Sequence, residues 1–144
     1  MNVIVDTPIW SFALRRRPGV LNVQQQRLTR ELSELIKEGR AQLLGAVRQE
    51  ILSGIAEAER FEQIRRDLRA FSDVALEPED YEEAAIIANR CRSAGIAGSA
   101  IDLLICATGI RHGWPIFTTD KDFRRYANHA PIQLHIPPIG VGEQ

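Results

Sequence analysis

The stretch IDLLICATGIRHGWPIFTTDKDF, residues 101–123, decides the fold. Ile101, Leu104, Ile105 and Thr108 cover one side of its first half as a helix, and Leu103, Cys106 and Ile110 cover much of the rest. A helix apolar on nearly all sides is a buried helix. PIFTT, residues 115–119, is a short apolar run bounded by turn residues, which predicts a buried strand. A buried helix feeding a buried strand is the unit of a parallel sheet covered on both faces. Two acids, Asp120 and Asp122, follow that strand, and Asp102 is the one charged residue in IDLLICATGI.

The same alternation extends outward in both directions. NVIV at 2–5 reads as a first strand, followed by Asp6 and a helix over PIWSFAL with Pro8 in its first turn. Pro18-Gly19 is a turn signal, so RRRPGV is a loop. Leu28, Leu32, Leu35 and Ile36 stand at helical spacing between about Gln24 and Glu38, and Gly39 ends that helix. AQLLGA is a second strand, VRQEILSGI and AEAERFEQIRRDLRAF are helices, and DVALE is a third strand. Pro78 opens a helix to about Ser93, with Gly95 and Gly98 beyond it. PIFTT is the fourth strand and IQLHI, at 132–136, the fifth. The expectation is an α/β sandwich over 1–136 with a central five-stranded, mostly parallel sheet. PPIGVGEQ, at 137–144, is a frayed tail.

Bulk properties narrow the classes. The chain has 144 residues, which suits one domain, and its net charge of −1 argues against a wholly basic nucleic-acid binder while allowing a local basic rim. A domain of this size buries enough surface to need no disulfide. Cys91 and Cys106 read as packing residues. No apolar run approaches the roughly 20 residues of a membrane span, and no signal-peptide pattern opens the sequence. The expected location is the cytoplasm.

In open α/β sheets ligands bind at the carboxyl ends of the strands. Asp6, Asp102, Asp120 and Asp122 all fall there, and Glu50 lies within two turns of the start of the helix after the second strand. Each has a plain structural role open to it. Asp6 suits a helix N-cap, Ser99 and Asp102 have capping-box spacing, Asp120 suits a cap before KDFRRYA, and Glu50 suits a solvated face. Two facts argue for more. An ionised Asp102 on a buried helix costs several kcal/mol unless donors or a cation satisfy it. Glu50 falls about 60° from Val47, on the flank of the apolar stripe formed by Val47, Ile51 and Ile55. Collectively, four or five carboxylates at one sheet end repel one another, and a hard divalent cation such as Mg²⁺ or Mn²⁺, which prefers oxygen, resolves that repulsion. His112, His129 and His135 are too scattered for a metal triad.

With these residues in place the sequence resembles the PIN-domain nucleases, and among them the VapC-type toxins of toxin–antitoxin pairs. The resemblance rests on VDTPIW, VRQEILSGI, IDLLICATGIRHGWPIFTTDKDF and IQLHI, in that order over nearly the whole length. It implies a PIN-like three-layer sandwich, a Mg²⁺ or Mn²⁺ cofactor and endoribonuclease activity through a metal-activated water. By position, Asp6, Glu50, Asp102 and Asp120 match the acids taken as catalytic. Asp6, Asp102, Asp120 and Asp122 are the expected metal ligands. Thr7 and Thr118 sit where hydroxyls stand near the metal. Phosphate would be gripped by Arg15 and Arg16 of the RRR run, or by Lys121 and Arg124 after the fourth strand. The implied partners are RNA, a cognate antitoxin and a second copy of the chain.

Other classes compete. A DNA-directed or structure-specific nuclease could use the same site, and a non-catalytic metal- or nucleic-acid-binding module needs no turnover. A receiver-type phosphate acceptor needs an adjacent acidic pair after the first strand, and an aspartyl phosphatase needs Asp-x-Asp there. VDTP provides neither.

Overall fold

The computed structural model describes residues 1–15 and 17–138. Arg16, one of the expected phosphate contacts, and residues 139–144 of the expected tail lie outside the described residues. The elements in chain order are β1 (Val3–Val5), α1 (Thr7–Leu14), a 3₁₀ turn (Pro18–Val20), α2 (Val23–Lys37), β2 (Ala41–Gln42), α3 (Gly45–Ser53), α4 (Ala58–Leu68), α5 (Pro78–Ser93), α6 (Ala100–His112), β3 (Ile116–Phe117) and α7 (Asp122–Tyr126).

The strands β2, β1 and β3 lie side by side in that order and all run parallel. In register, Val3 faces Ala41, Ile4 faces both Gln42 and Ile116, and Val5 faces Phe117. Val3, Ile4 and Val5 are each fully buried. Successive strand residues point to opposite faces, so burial of all three requires cover on both sides. The helices supply it. α1 packs on α2 and α3, while α6 packs on β1, β3 and α5.

The expected five-stranded sheet is reduced to three strands among the described residues. DVALE and IQLHI each contribute one parallel bridge, Asp73 to Leu43 and Leu134 to Ile116, at the two outer edges. Both shortfalls have local causes. After Val74 N–H donates to Leu43 O (2.9 Å), Glu77 and Asp80 form a capping box that commits the chain to α5. On the other side, Ile116 pairs with Gln133 O (2.8 Å) and His135 N–H (2.7 Å). Beyond this bridge the ladder stops, and Thr118 turns its hydroxyl to Asp6 on the other side (2.7 Å).

Helix starts explain the element boundaries. Asn22 and Gln25 make a reciprocal capping box for α2. Gly113, with φ 71°, ends α6 in the left-handed region that glycine tolerates. Gly109 lets α6 lie close on the entry to β3: a Cβ there would come within 3.0 Å of Trp114 O and 3.3 Å of Ile116 Cγ1. That close approach brings the N-terminal turn of α6, with Asp102, beside the end of β3, with Asp120. Arg111 ties α6 to α5 through the buried carboxylate of Asp80 (2.8 Å). Cys91 and Cys106 are buried and free, as packing residues should be.

Candidate metal centre

Asp6 takes the capping role open to it and a second, long-range bond besides. It is the N-cap of α1, its Oδ1 accepting from Thr7 N–H at 2.8 Å. Its Oδ2 accepts from the Thr118 hydroxyl at 2.7 Å, 112 positions along the chain. Trp10 fixes the strand end beneath it by donating to Val5 O (3.1 Å). Thr118 Oγ1 in turn accepts from Asp120 N–H (3.0 Å), and Asp120 Oδ1 accepts from Asp122 N–H (2.9 Å). A single hydrogen-bonded relay therefore links the ends of β1 and β3.

Asp102 closes the group from α6. Its backbone N–H donates to Ser99 Oγ (3.1 Å), which holds the first turn. Its Oδ2 accepts from the hydroxyl of Tyr126 (2.9 Å). Asp102, Asp120 and Asp122, all half-buried, can present one carboxylate oxygen each within 4.8 Å of one another. Asp6 stands outside this trio and is joined to it through Thr118.

The electrostatics follow from burial and crowding. Asp6 is 3% exposed, and loss of solvent pushes its carboxyl up to about 6. The hydrogen bonds from Thr118 and Thr7 oppose that rise, and the neighbouring charges of Asp102 and Asp120 add to it. Burial also raises Asp102, against the bonds from Tyr126 and Ser99, with Asp120 and Glu50 pushing further up. Burial drives the Tyr126 phenol well above its ordinary value, as do its bond to Asp102 and the nearby acids. The phenol is therefore a fixed donor at neutral pH. Cys106 is pushed up by burial first and then by Asp102, so it remains a thiol.

The donor set fits a hard divalent cation. It is all carboxylate oxygen, crowded and short of solvent, and a cation would relieve both its repulsion and its desolvation. Thr7 Oγ1, on the residue next to Asp6, is buried without a hydrogen-bond partner.

The other expected residues fall into two groups. Glu50 is exposed on α3, yet its charge is felt by Asp102, so it stands at the rim. Lys121 and Arg124 are exposed beside Asp120 and line one groove with it. Arg15 is used differently. It sits at the far end of α1 from Asp6 and donates to Gly54 O (3.1 Å), binding α1 to the end of α3. Two of the three histidines are held away from the site acids: His112 bonds Thr108 O (3.0 Å) and lies against Trp114, and His135 bonds Glu31 (2.8 Å).

Sequence reasoning missed Tyr126. Its side chain is 1% exposed, its ring meets Phe123 edge-on at 5.2 Å, and its hydroxyl holds one oxygen of Asp102. The available signal was a tyrosine one turn after a buried Phe in DFRRY, where a buried hydroxyl must find a partner.

Comparison with known proteins bears on the fold and the family. No curated protein matches the chain. Among solved structures, FitAcB from Neisseria gonorrhoeae superposes with a TM-score of 0.73 at 21% identity, covering 94% of this chain and 97% of its own. VapBC2 from Rickettsia felis, bound to a DNA fragment from its promoter, gives 0.69 at 17% identity, covering 94% and 98%. A toxin–antitoxin complex from Klebsiella pneumoniae gives 0.61 at 17% identity, covering 85% and 90%. These likenesses show a shared fold. The PIN domain family model matches residues 3–129, the span that carries every acid described above. The chain belongs to the PIN-domain family of nucleases.

Proposed function

We propose that the chain is a metal-dependent endoribonuclease and the toxin of a toxin–antitoxin pair, working in the cytoplasm as a homodimer that a cognate antitoxin restrains. One observation carries the catalytic part: Asp102, Asp120 and Asp122 can bring oxygens within 4.8 Å, with buried Asp6 one hydroxyl away. The names of the structural neighbours, which include a toxin–antitoxin complex, support the biological part.

Asp102, Asp120 and Asp122 would hold Mg²⁺ or Mn²⁺, and Asp6 would act from the buried side. The bound cation would supply a more acidic water and would neutralise phosphate charge. The remaining work falls to the chain. Thr118 fixes Asp6 and Asp120 relative to each other, so the distance between the β1 and β3 sides is set before substrate arrives. Tyr126 holds Asp102 Oδ2 and so fixes the pose of the carboxylate. Glu50, at the rim, orients the attacking water and accepts its proton. Lys121 and Arg124 meet the RNA phosphates.

The test is cleavage of single-stranded RNA, single-stranded DNA and a DNA flap with Mg²⁺ or Mn²⁺ and again with EDTA. RNA cleavage that stops in EDTA and in Asp102→Asn supports the proposal. Unchanged cleavage in EDTA, or cleavage of the flap alone, contradicts it.

A further inference from the structure

A groove of about 390 Å³ runs between the first turns of α2 and the chain leaving β3, and the chemistry above leaves most of it unused. Thr118 and Asp120 belong to both the groove and the acid relay, so the groove opens onto the candidate metal centre. Lys121 and Arg124 stand on its rim, and among the described residues neither side chain has a hydrogen bond or ion pair. Leu28 and Leu134 give it an apolar floor, and Ile136, 83% exposed, overhangs the rim. Gln24 adds an exposed amide from α2. His135 closes one end in a fixed pose, bonded to Glu31 at 2.8 Å and edge-on to Phe117 at 5.2 Å.

The volume lies at the small end of ligand pockets, which run from about 300 to 1,000 Å³. It has room for a flat ring with its sugar. Unpaired cations at the mouth select a phosphate, and an apolar floor selects the face of a base.

We infer that this groove is the subsite for the nucleotide adjoining the scissile phosphate. Its base lies over Leu28, Leu134 and Ile136, its polar edge meets Gln24, and its outer phosphate meets Lys121 and Arg124. Preference among bases, where the enzyme has one, is then set by Gln24 and the residues of the 134–136 segment. The inference rests on the nuclease reading but is testable apart from it.

The test uses adenosine 5′-monophosphate and uridine 5′-monophosphate as probes, titrated to the millimolar range against ¹⁵N-labelled protein in EDTA. Expected are saturable shifts of the Gln24, Thr119 and His135 amides, lost in Ile136→Glu and Gln24→Glu and retained in Ile136→Leu. Both glutamate variants place a carboxylate at an exposed position, so thermal melts should match wild type. In the Mn²⁺-supported RNA assay they should raise KM about tenfold and change kcat less than twofold. If nucleotides shift these amides but no RNA is cut, the subsite stands and the nuclease reading falls. If RNA is cut while both glutamate variants keep wild-type KM, or nucleotide shifts avoid these amides, the subsite is refuted.

Discussion

Replacing Asp6 by Asn should stabilise the metal-free protein at neutral pH, although it removes a helix cap's charge and a candidate catalytic acid. Burial raises the folded-state carboxyl from an ordinary 3.8 to about 6. The folded state therefore binds a proton more tightly than the unfolded chain. Stability is highest below about pH 4, falls as pH rises from about 4 to about 6, and stays low above. At about 1.4 kcal/mol per pH unit, two units of displacement cost the apo protein about 3 kcal/mol at pH 7.5. Asn caps α1 about as well as Asp, and its amide can still meet Thr118, so lost bonding returns about 1 kcal/mol of that gain. The net of about 2 kcal/mol corresponds to a Tm rise of roughly 6 °C for a domain of this size. Thermal melts of wild type and Asp6→Asn in EDTA at pH 7.5 measure it. At pH 5 about half the penalty has gone, so the gap should nearly close. Saturating Mn²⁺ should close it at pH 7.5 by stabilising wild type more than the variant. A variant less stable than wild type at pH 7.5 in EDTA would refute the reasoning, because capping would then outweigh the cost of the buried charge.

Two further substitutions probe the supports of the site. Tyr126→Phe removes only the hydroxyl that holds Asp102 Oδ2. It should lower kcat on RNA about tenfold with KM nearly unchanged, and a bond to a charged group is worth about 1.5–3 kcal/mol; wild-type kcat would contradict the positioning role. Asp80→Ala strands Arg111 and opens the α5 cap, and because Arg111 is a third exposed the loss is expected near 2–3 kcal/mol, or a Tm drop of about 6–9 °C. Its cleavage rate at 20 °C should match wild type; an unchanged Tm would show that the pair contributes nothing.

What the sequence revealed depended on how local the cause was. VIV at β1 is a β-branched run with both faces buried, and it was legible because hydrophobic runs report burial directly. α6 was legible for the same reason, and with it the anomaly of Asp102. The acids were legible as candidates because they sit at strand ends, where open α/β sheets bind ligands. DVALE looked equally strand-like, but its pairing was cut short by a capping box at Glu77 and by Asp73 turning its side chain to Arg48 (2.8 Å). Arg15 looked like one member of a charge run, and only the approach of α3 gave it Gly54 as a partner. Tyr126 and the groove stayed hidden because their partners are far away in the chain: Asp102 lies 24 positions from Tyr126, and the groove joins Gln24 to Leu134.

The central claim is that carboxylates from α6 and from the end of β3 share one hard cation. Isothermal titration of EDTA-stripped protein with Mn²⁺ tests it without substrate. The account predicts saturable binding in wild type, at least tenfold weaker in both Asp102→Asn and Asp120→Asn, with all three proteins folded. Equal Mn²⁺ affinity in wild type and both variants, or no saturable binding in wild type, would contradict it.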